Sequence, residues 1–214
     1  MKLVIGDKNY SSWSMRPWVL LAHFGIAFEE AGVELGEPGT REAILAHSPS
    51  GTVPCLVTDE GQAVWDSLAI AETLAERYPQ HALWPREASA RAHARSVSAE
   101  MHAGFAELRR QMPMNLRTSQ PGRSVTPAAL ADLARIDAIW RDCLEASGGP
   151  FLFGAFGIAD AMYAPVVMRV NSYRPALSAA ALAYGARITA LPAVAAWIDG
   201  ARRETHRAQR YEDA

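Results

Sequence analysis

Two adjoining stretches, PSGTVPCLV at residues 49–57 and DEGQAVWDSLAI at residues 59–70, decide the fold. The first is a Ser-Gly turn that runs into a short apolar strand beginning at Pro54. Proline cannot donate a ladder hydrogen bond and is tolerated at the start of a strand. Residues 59–62 then form a hairpin turn into a second short strand, and Asp66-Ser67 caps the helix that follows. The predicted order is strand, strand, helix.

The residues before this segment predict a strand, a helix and a second strand. KLVIG at residues 2–6 has the apolar, β-branched composition of a strand. A helix then begins, with Ser12 or Ser14 as its cap and Pro17 in its first turn. Residues 28–35 predict the second strand, parallel to the first through a right-handed crossover, and residues 40–46 a short helix. The full order is β-α-β-α-β-β-α, a thioredoxin-like layout.

The remainder of the chain predicts helices only. PQHALWPRE, residues 79–87, carries two prolines and interrupts the helical period. Amphipathic patterns then predict helices at residues 88–113, 127–147, 158–173, 177–189 and 193–208. The fold class is therefore α+β, with a thioredoxin-like domain at residues 1–79, a linker at 80–87 and an all-helical domain at 88–214.

Composition narrows the classes of function. Half of the 214 residues are hydrophobic and 21% are charged, as in a folded protein. The net charge of −2 argues against general binding to nucleic acid or to an acidic membrane. No apolar run approaches the roughly 20 residues of a membrane span, and the first residues lack a signal-peptide pattern, so we expect a cytoplasmic protein. Cys55 and Cys143 form no CxxC pair, and we expect both to be buried.

Four short motifs carry a resemblance to a known family. They are Ser11-Ser12-Trp13-Ser14, the Ser50-to-Pro54 turn, Asp66-Ser67 and the Gly157-to-Ala161 start of a late helix. In this order and spacing, the chain resembles the cytosolic glutathione S-transferase family over essentially its whole length. The Ser-Ser-x-Ser and Asp-Ser-Leu-Ala-Ile runs are most similar to the zeta class, which includes maleylacetoacetate isomerase, and to related bacterial serine-type transferases.

The resemblance implies where glutathione binds. Val53, ahead of a cis Pro54, would pair its main chain with the cysteinyl unit as an added strand, and Thr52 belongs to the same turn. Ser67 and the first amides of its helix would hold the γ-glutamyl carboxylate, with Asp66 near the amino group. Asp66 stands where Glu is more common, which shortens its reach. The alternatives are a trans proline at the strand start and simple helix capping by Asp66-Ser67.

The resemblance also implies the catalytic group. A free thiol has a pKa near 8.5, so the enzyme must stabilise the thiolate. A serine hydroxyl and the positive end of the first helix can do so. Ser11 matches the family's catalytic serine, Ser12 is the second candidate, and Tyr10 stays open because other classes use tyrosine. Trp13 replaces the cysteine that is usual in the zeta class. This replacement puts in doubt any isomerase activity that the zeta class implies, and the indole ring would narrow the pocket above the sulfur.

The second-substrate pocket has no motif. His102 and Arg109, on the predicted helix at 88–113, can orient an anionic substrate, while a surface position is the plain alternative. We expect no metal, because the histidines of this helix are nine residues apart and do not share a face. Asp160 is expected to cap its helix through the Gly157 amide, a folding role.

Four kinds of function therefore stay open. The expected activity is transfer of glutathione to a small electrophile, in a homodimer whose interface includes the helix at 88–113. The alternatives are a glutathione-dependent isomerase of the maleylacetoacetate isomerase type and a non-catalytic binding or stress protein. Disulfide exchange is the weakest hypothesis. No cysteine lies in the loop from Tyr10 to Ser14, so exchange would have to use Cys55.

Overall fold

The computed structural model describes residues 1–212, which form four strands, ten α-helices and a 3-10 turn. The elements of the first part are β1 (Lys2–Gly6), α1 (Ser12–His23), β2 (Glu29–Val33), α2 (Thr40–Leu45), β3 (Cys55–Val57), β4 (Ala63–Trp65) and α3 (Ser67–Arg77). After the 3-10 turn at Pro79–His81 come α4 (Ala88–Ala103), α5 (Ala106–Gln111), α6 (Pro127–Ser147), α7 (Ile158–Tyr173), α8 (Ala179–Thr189), α9 (Pro192–Arg203) and α10 (Gln209–Glu212).

The first part is the predicted β-α-β-α-β-β-α unit. Its sheet has the order β2-β1-β3-β4, with β1 and β2 parallel and the other two pairs antiparallel. Strand β2 covers 29–33, less than the predicted 28–35, because within residues 1–212 it pairs only with the five-residue β1. Leu3, Ile5 and Leu56 point from the sheet into the hydrophobic core. The α+β fold class is confirmed.

The predicted helix at 88–113 is wrong as a single element. It is interrupted at Gly104 and Phe105, and the φ of Phe105 is +56°, in the left-handed region. A Cβ on residue 104 would lie 2.7 Å from the carbonyl oxygen of Glu100, so only glycine fits there. After the break, the Leu108 amide donates to Asp132 on α6 over 2.9 Å. Helix α5 packs against α6, and Arg109 of α5 lies over the ring of Trp13 on α1.

The last predicted helix, at 193–208, also ends early, at Arg203. The carboxylate of Glu204 accepts hydrogen bonds from the amides of Lys8 at 2.7 Å and Asn9 at 3.0 Å. These contacts draw residues 204–212, here called the tail, across the loop that precedes α1. The helices at 127–147 and 158–173 have their predicted bounds, and α8 begins two residues later than predicted, at Ala179.

Helix α7 runs through the core and contacts both α1 and α4. At its start, both oxygens of the buried Asp160 are used: one accepts from the Gly157 amide at 3.0 Å and the other from the Leu152 amide and the Tyr184 hydroxyl, each also at 3.0 Å. The expected contact with Gly157 is thus present. A Cβ at Gly157 would lie 2.8 Å from the Leu83 carbonyl oxygen, which explains why no hydroxyl residue occupies this cap.

The segment between α3 and α4 is packed against the helical part. Leu83 and Trp84 are buried, and the Leu83 carbonyl accepts from the Ile158 amide over 3.0 Å. The division of the chain at 79 and 88 remains a prediction. Across residues 1–212, no single helix is long and apolar enough to cross a membrane, and only the bent pair of α8 and α9 meets that test of length and composition.

Candidate active site

A cleft of about 520 Å³ opens where the start of α1, the turn before β3, α5 and α7 meet. Seven of the residues singled out in the sequence line it: Tyr10, Ser11, Ser12, Trp13, Thr52, Val53 and Arg109. The other predicted site residues, Pro54, Asp66, Ser67 and His102, are outside the lining of this cleft, with Ser67 against Arg16 and His102 against Trp13. The fold therefore brings seven of the predicted site residues to one cleft and leaves the other four outside its lining.

The two candidate serines differ in how their hydroxyls are used. Ser11 is the N-cap of α1: its Oγ accepts from the Ser14 amide at 3.3 Å and donates to Ser14 Oγ at 2.7 Å. Ser12 Oγ accepts from Nη2 of Arg169 at 3.3 Å and donates to no acceptor within residues 1–212. Both side chains are largely buried at the floor of the cleft. Ser12 thus has a free hydroxyl hydrogen beside a cation.

Tyr10 is engaged with the tail. Its hydroxyl donates to Glu212 and accepts from Nη2 of Arg117 at 2.8 Å, and its ring stacks on Tyr211 with centroids 5.1 Å apart. Burial raises the pKa of the Tyr10 phenol, and its hydrogen bond to Glu212 raises it further. Because its hydroxyl hydrogen is already donated to Glu212, the phenol is a poor match for a group that must donate to a thiolate.

The turn before β3 presents main chain to the cleft. The Val53-Pro54 peptide bond is cis, as expected. Strand β3 begins only at Cys55, so Val53 lies ahead of the sheet's ladder while lining the cleft. The Thr52 and Ser50 hydroxyls are 2.7 Å apart and fix the turn.

Asp66 and Ser67 form the start of α3. Asp66 is its N-cap, with Oδ1 accepting from the Leu68 amide at 2.8 Å, and its φ of +73° is unusual for a residue with a side chain. Ser67 is 1% exposed, and its Oγ accepts from Nη1 of Arg16 over 3.4 Å. Nε of Arg16 is buried and has no partner among the described residues. A guanidinium and a helix amino terminus therefore meet at Ser67.

Three arginines crowd this region. Burial and the nearby Arg169 and Arg109 lower the pKa of Arg16 to about 9, while Asp66 acts in the opposite direction. Burial likewise lowers the pKa of Arg169 to about 10, with Arg109 adding to the effect. Trp13 lies between two of them, with the guanidinium carbons of Arg16 and Arg109 at 4.1 Å and 5.5 Å from its ring. The site is electropositive and suited to anions.

Several residues in or beside the cleft were missed or only weakly indicated by the sequence. Arg169 lies on the predicted helix at 158–173, but nothing in the helical period shows that it reaches Ser12. Tyr211 lines the cleft, and Arg117 donates a hydrogen bond to Tyr10. Both positions depend on the path of the tail. Hydrogen bonds such as that from Arg117 to the Glu204 carbonyl determine this path, and apolar periodicity does not show it. Arg117 also donates to the carbonyls of Glu204 and His206.

The cysteines are not part of the site. Cys55 and Cys143 are both free and buried, and burial raises the pKa of each thiol, that of Cys143 to about 11. Neither is suited to thiol exchange, which requires the thiolate. Among residues 1–212, no group of three or more His, Cys, Asp or Glu side chains is placed to hold a metal ion.

Comparison with known proteins gives a consistent result. Residues 10–77 match the family model of the glutathione S-transferase N-terminal domain, and residues 87–200 match that of the glutathione S-transferase C-terminal domain. A maleylacetoacetate isomerase of Pseudomonas aeruginosa is 36% identical over 119 residues, which is 54% of this chain and 55% of that protein. The chain thus aligns with about half the length of this relative.

Solved structures of similar proteins cover nearly the whole chain. A glutathione transferase from Methylococcus capsulatus superposes with a TM-score of 0.73 at 28% identity, covering 94% of this chain and 98% of that one. A glutathione transferase homologue from Burkholderia, with bound glutathione, has a TM-score of 0.72 at 25% identity and covers 94% of this chain and 97% of its own.

Proposed function

The chain belongs to the glutathione S-transferase family, and we propose that it is a glutathione transferase that ionises the glutathione thiol for attack on small electrophiles. The observation that carries this proposal is the meeting of Arg16, Ser67 and the start of α3 beside a cleft floored by two serines. A carboxylate and a thiolate of one molecule can be stabilised there together.

The γ-glutamyl end of glutathione belongs at Ser67. Its carboxylate accepts hydrogen bonds from the Ser67 hydroxyl and from the free amides of the first turn of α3, where the helix dipole favours negative charge. The partnerless Nε of the buried Arg16 adds a donor and a positive charge. Asp66, the N-cap, supplies the carboxylate for the ammonium group.

The cysteinyl unit extends along the turn before β3. The Val53 main chain, ahead of the sheet, pairs with it as an added strand. At the other end of the turn, a Cβ on Gly51 would lie 3.0 Å from Nη1 of Arg41, so the Arg41 guanidinium lies directly over the turn. Arg41 is exposed and is suited to the carboxylate of the glycine unit.

The sulfur then lies over the first turn of α1. Ser12 donates its free hydroxyl hydrogen to the thiolate, and its hydrogen bond from Arg169 polarises the hydroxyl and strengthens that donation. The helix amino terminus adds its partial positive charge. Lowering the thiol pKa by about two units requires about 2.7 kcal/mol of preferential stabilisation. The thiolate attacks an electrophilic carbon, a sulfur–carbon bond forms, and the displaced group leaves with the bonding electron pair.

The test is glutathione binding by calorimetry, followed by activity assays with a panel of halogenated and α,β-unsaturated compounds. Ser67→Ala should weaken glutathione binding about tenfold, because a hydrogen bond to a charged group is lost. The matched control is Ser96→Ala, on the exposed face of α4, which should bind as the wild type does. Absence of binding by the folded wild-type protein would refute the proposal.

A second candidate function is favoured by the arginines. Arg109 and Arg169 line the cleft, and a substrate with carboxylate groups would be held by them. This chemistry fits a glutathione-dependent isomerase of the kind that the Pseudomonas relative is named for. Trp13 fills the position of the usual zeta-class cysteine, so the thiolate of glutathione itself must carry the reaction. Turnover of a maleyl substrate without consumption of glutathione would establish this activity in place of transfer.

We also propose that the protein is a cytoplasmic homodimer. The large side chain of Trp65, at the end of the edge strand β4, is 45% exposed next to Asp66, which supports an interface beside the glutathione site. Sedimentation equilibrium of the wild type and of Trp65→Glu tests it. A dimeric wild type and a monomeric variant are expected, and a monomeric wild type would refute it.

A further inference from the structure

His102 does not line the cleft but lies against Asp66. Its Nε2 is 3.4 Å from Oδ2 of Asp66, and its ring meets the ring of Trp13 edge-on at 5.3 Å between centroids. His102 occupies the last turn of α4, whereas Asp66 caps α3. The contact therefore joins the helical domain to the start of the helix at which the γ-glutamyl unit binds.

The environment of the ring selects one tautomer. Nδ1 of His102 is buried and has no hydrogen-bond partner in the described part of the chain. A hydrogen on Nδ1 would be a buried donor without an acceptor, which is costly. With its hydrogen on Nε2, the ring instead has that N–H on the side of Asp66, since Nε2 lies 3.4 Å from Oδ2. His102 thus presents a donor to the carboxylate and leaves the negative charge available to a ligand.

Asp66 thus has a neighbour at each of its oxygens, one hydrogen-bonded and one in contact. Oδ1 accepts from the Leu68 amide at 2.8 Å, and Oδ2 faces His102. The positive φ of Asp66 turns its side chain away from the direction that a residue with negative φ would give it. A carboxylate fixed in this way is ready for an ammonium group, because little side-chain freedom is lost when the ligand arrives.

We propose that His102 is a positioning residue for glutathione, one that orients the Asp66 carboxylate toward the ammonium of the γ-glutamyl unit. The proposal rests on the proposed function, since it takes glutathione as the ligand. It replaces the role expected from the sequence, in which His102 orients the second substrate. It also predicts a specific requirement: the protein distinguishes glutathione from a tripeptide analogue that lacks only the amino group.

The experiment compares two ligands, glutathione and glutaryl-cysteinyl-glycine, which keeps both carboxylates and the thiol but has no ammonium. Three variants of His102 are used. His102→Gln keeps an amide N–H near the position of Nε2, His102→Asn places its amide near Nδ1, out of reach of Asp66, and His102→Ala has no donor. Calorimetry gives the dissociation constants, and steady-state kinetics separate KM from kcat.

We expect the glutathione dissociation constant and KM to rise about tenfold in His102→Ala and His102→Asn, with kcat unchanged, and to return to within about twofold of wild type in His102→Gln. Binding of the analogue should be the same in all four proteins. Equal losses for both ligands would show that His102 only supports the Trp13 wall and would overturn the proposal, as would unchanged glutathione affinity in His102→Ala. Failure of the wild type to bind either ligand would instead refute the proposed function.

Discussion

Nη2 of Arg169 donates a 3.3 Å hydrogen bond to Oγ of Ser12, which joins the core helix α7 to the first turn of α1. Arg169 is itself fixed, because Nε donates to the Met112 carbonyl at 2.8 Å and Nη1 to the Pro165 carbonyl at 3.1 Å. Arg169 therefore orients the Ser12 hydroxyl, and the hydroxyl hydrogen is directed away from the guanidinium.

The first prediction separates the two serines. Ser12→Ala should lower kcat by about 100-fold and raise the pKa of the bound thiol, because the thiolate loses its donor. Ser11→Ala should cost about 1 kcal/mol of stability through loss of the α1 N-cap, with a smaller effect on kcat. The ultraviolet absorbance of the bound thiolate as a function of pH, together with thermal unfolding, measures both effects. Loss of the thiolate in Ser11→Ala alone would restore Ser11 as the catalytic residue.

The second prediction concerns Tyr10. Tyr10→Phe keeps the stacked ring but removes the hydrogen bonds with Glu212 and Arg117, so stability should fall by about 1 kcal/mol. The pKa of the bound thiol should not change, because the phenol is committed to the tail. A thiol pKa that returns toward its free value in this variant would identify Tyr10 as the donor.

The third prediction is that Asp160 acts in folding alone. Asp160→Ala leaves the Leu152 and Gly157 amides and the Tyr184 hydroxyl without an acceptor, and should lower the free energy of unfolding by about 3 kcal/mol or more. Asp199→Ala, which removes only a surface pair with Arg202, is the control and should change it by about 0.5 kcal/mol or less. Denaturant unfolding measures both.

Glutathione affinity completes the test of Asp160. The remaining folded fraction of Asp160→Ala should bind glutathione as the wild type does, since Asp160 lies outside the cleft. A variant with wild-type stability and lost affinity would contradict the assignment.

The fourth prediction is a pH dependence of the tail. Burial lowers the pKa of His206, but the hydrogen bonds with Glu37 and Asp7 and the charges of Asp7 and Glu34 outweigh burial, so the pKa is raised from its ordinary value near 6.5. The protonated ring thus favours the folded state. Its contribution is complete below pH about 6.5 and is lost as the pH rises through the folded-state pKa.

Thermal unfolding of the wild type and of His206→Gln tests this dependence. The difference in Tm between the two proteins should be larger at about pH 6 than at about pH 8.5. A difference that stays constant, or that grows with pH, would show that the contacts with Asp7 and Glu37 do not depend on the charge of the ring.

The sequence predicted the sheet and most helices because their signals are local. The hairpin turn at 59–62 and the cap at Asp66 each depend on a few neighbouring residues. The break between α4 and α5 does not: it depends on how closely residue 104 approaches a carbonyl and on a hydrogen bond from Leu108 to Asp132. The helical period continues across residues 104 and 105, so it could not show the break.

The site was predicted in a similarly uneven way. Ser11, Ser12, Val53 and Asp66 could be named as candidates from the sequence, because they lie in short motifs that carry the family resemblance. The sequence could not give the directions of hydrogen bonds, such as that from Arg169 to Ser12, since these connect residues 157 positions apart. For the same reason it could not place His102 beside Asp66 or bring Tyr211 to the cleft.

The crowding of Arg16, Arg109 and Arg169 has a practical consequence for handling the protein. Burial and the neighbouring arginines lower the pKa of Arg16 and Arg169, and burial lowers that of Arg109. Asp66 and Asp132 offset these effects only in part, so a bound anion acts as the missing counterion. Phosphate, sulfate or citrate in a purification buffer should therefore compete with the tripeptide. Apparent affinities will fall as the concentration of such anions rises, and the unliganded protein will gain heat resistance from the same salts.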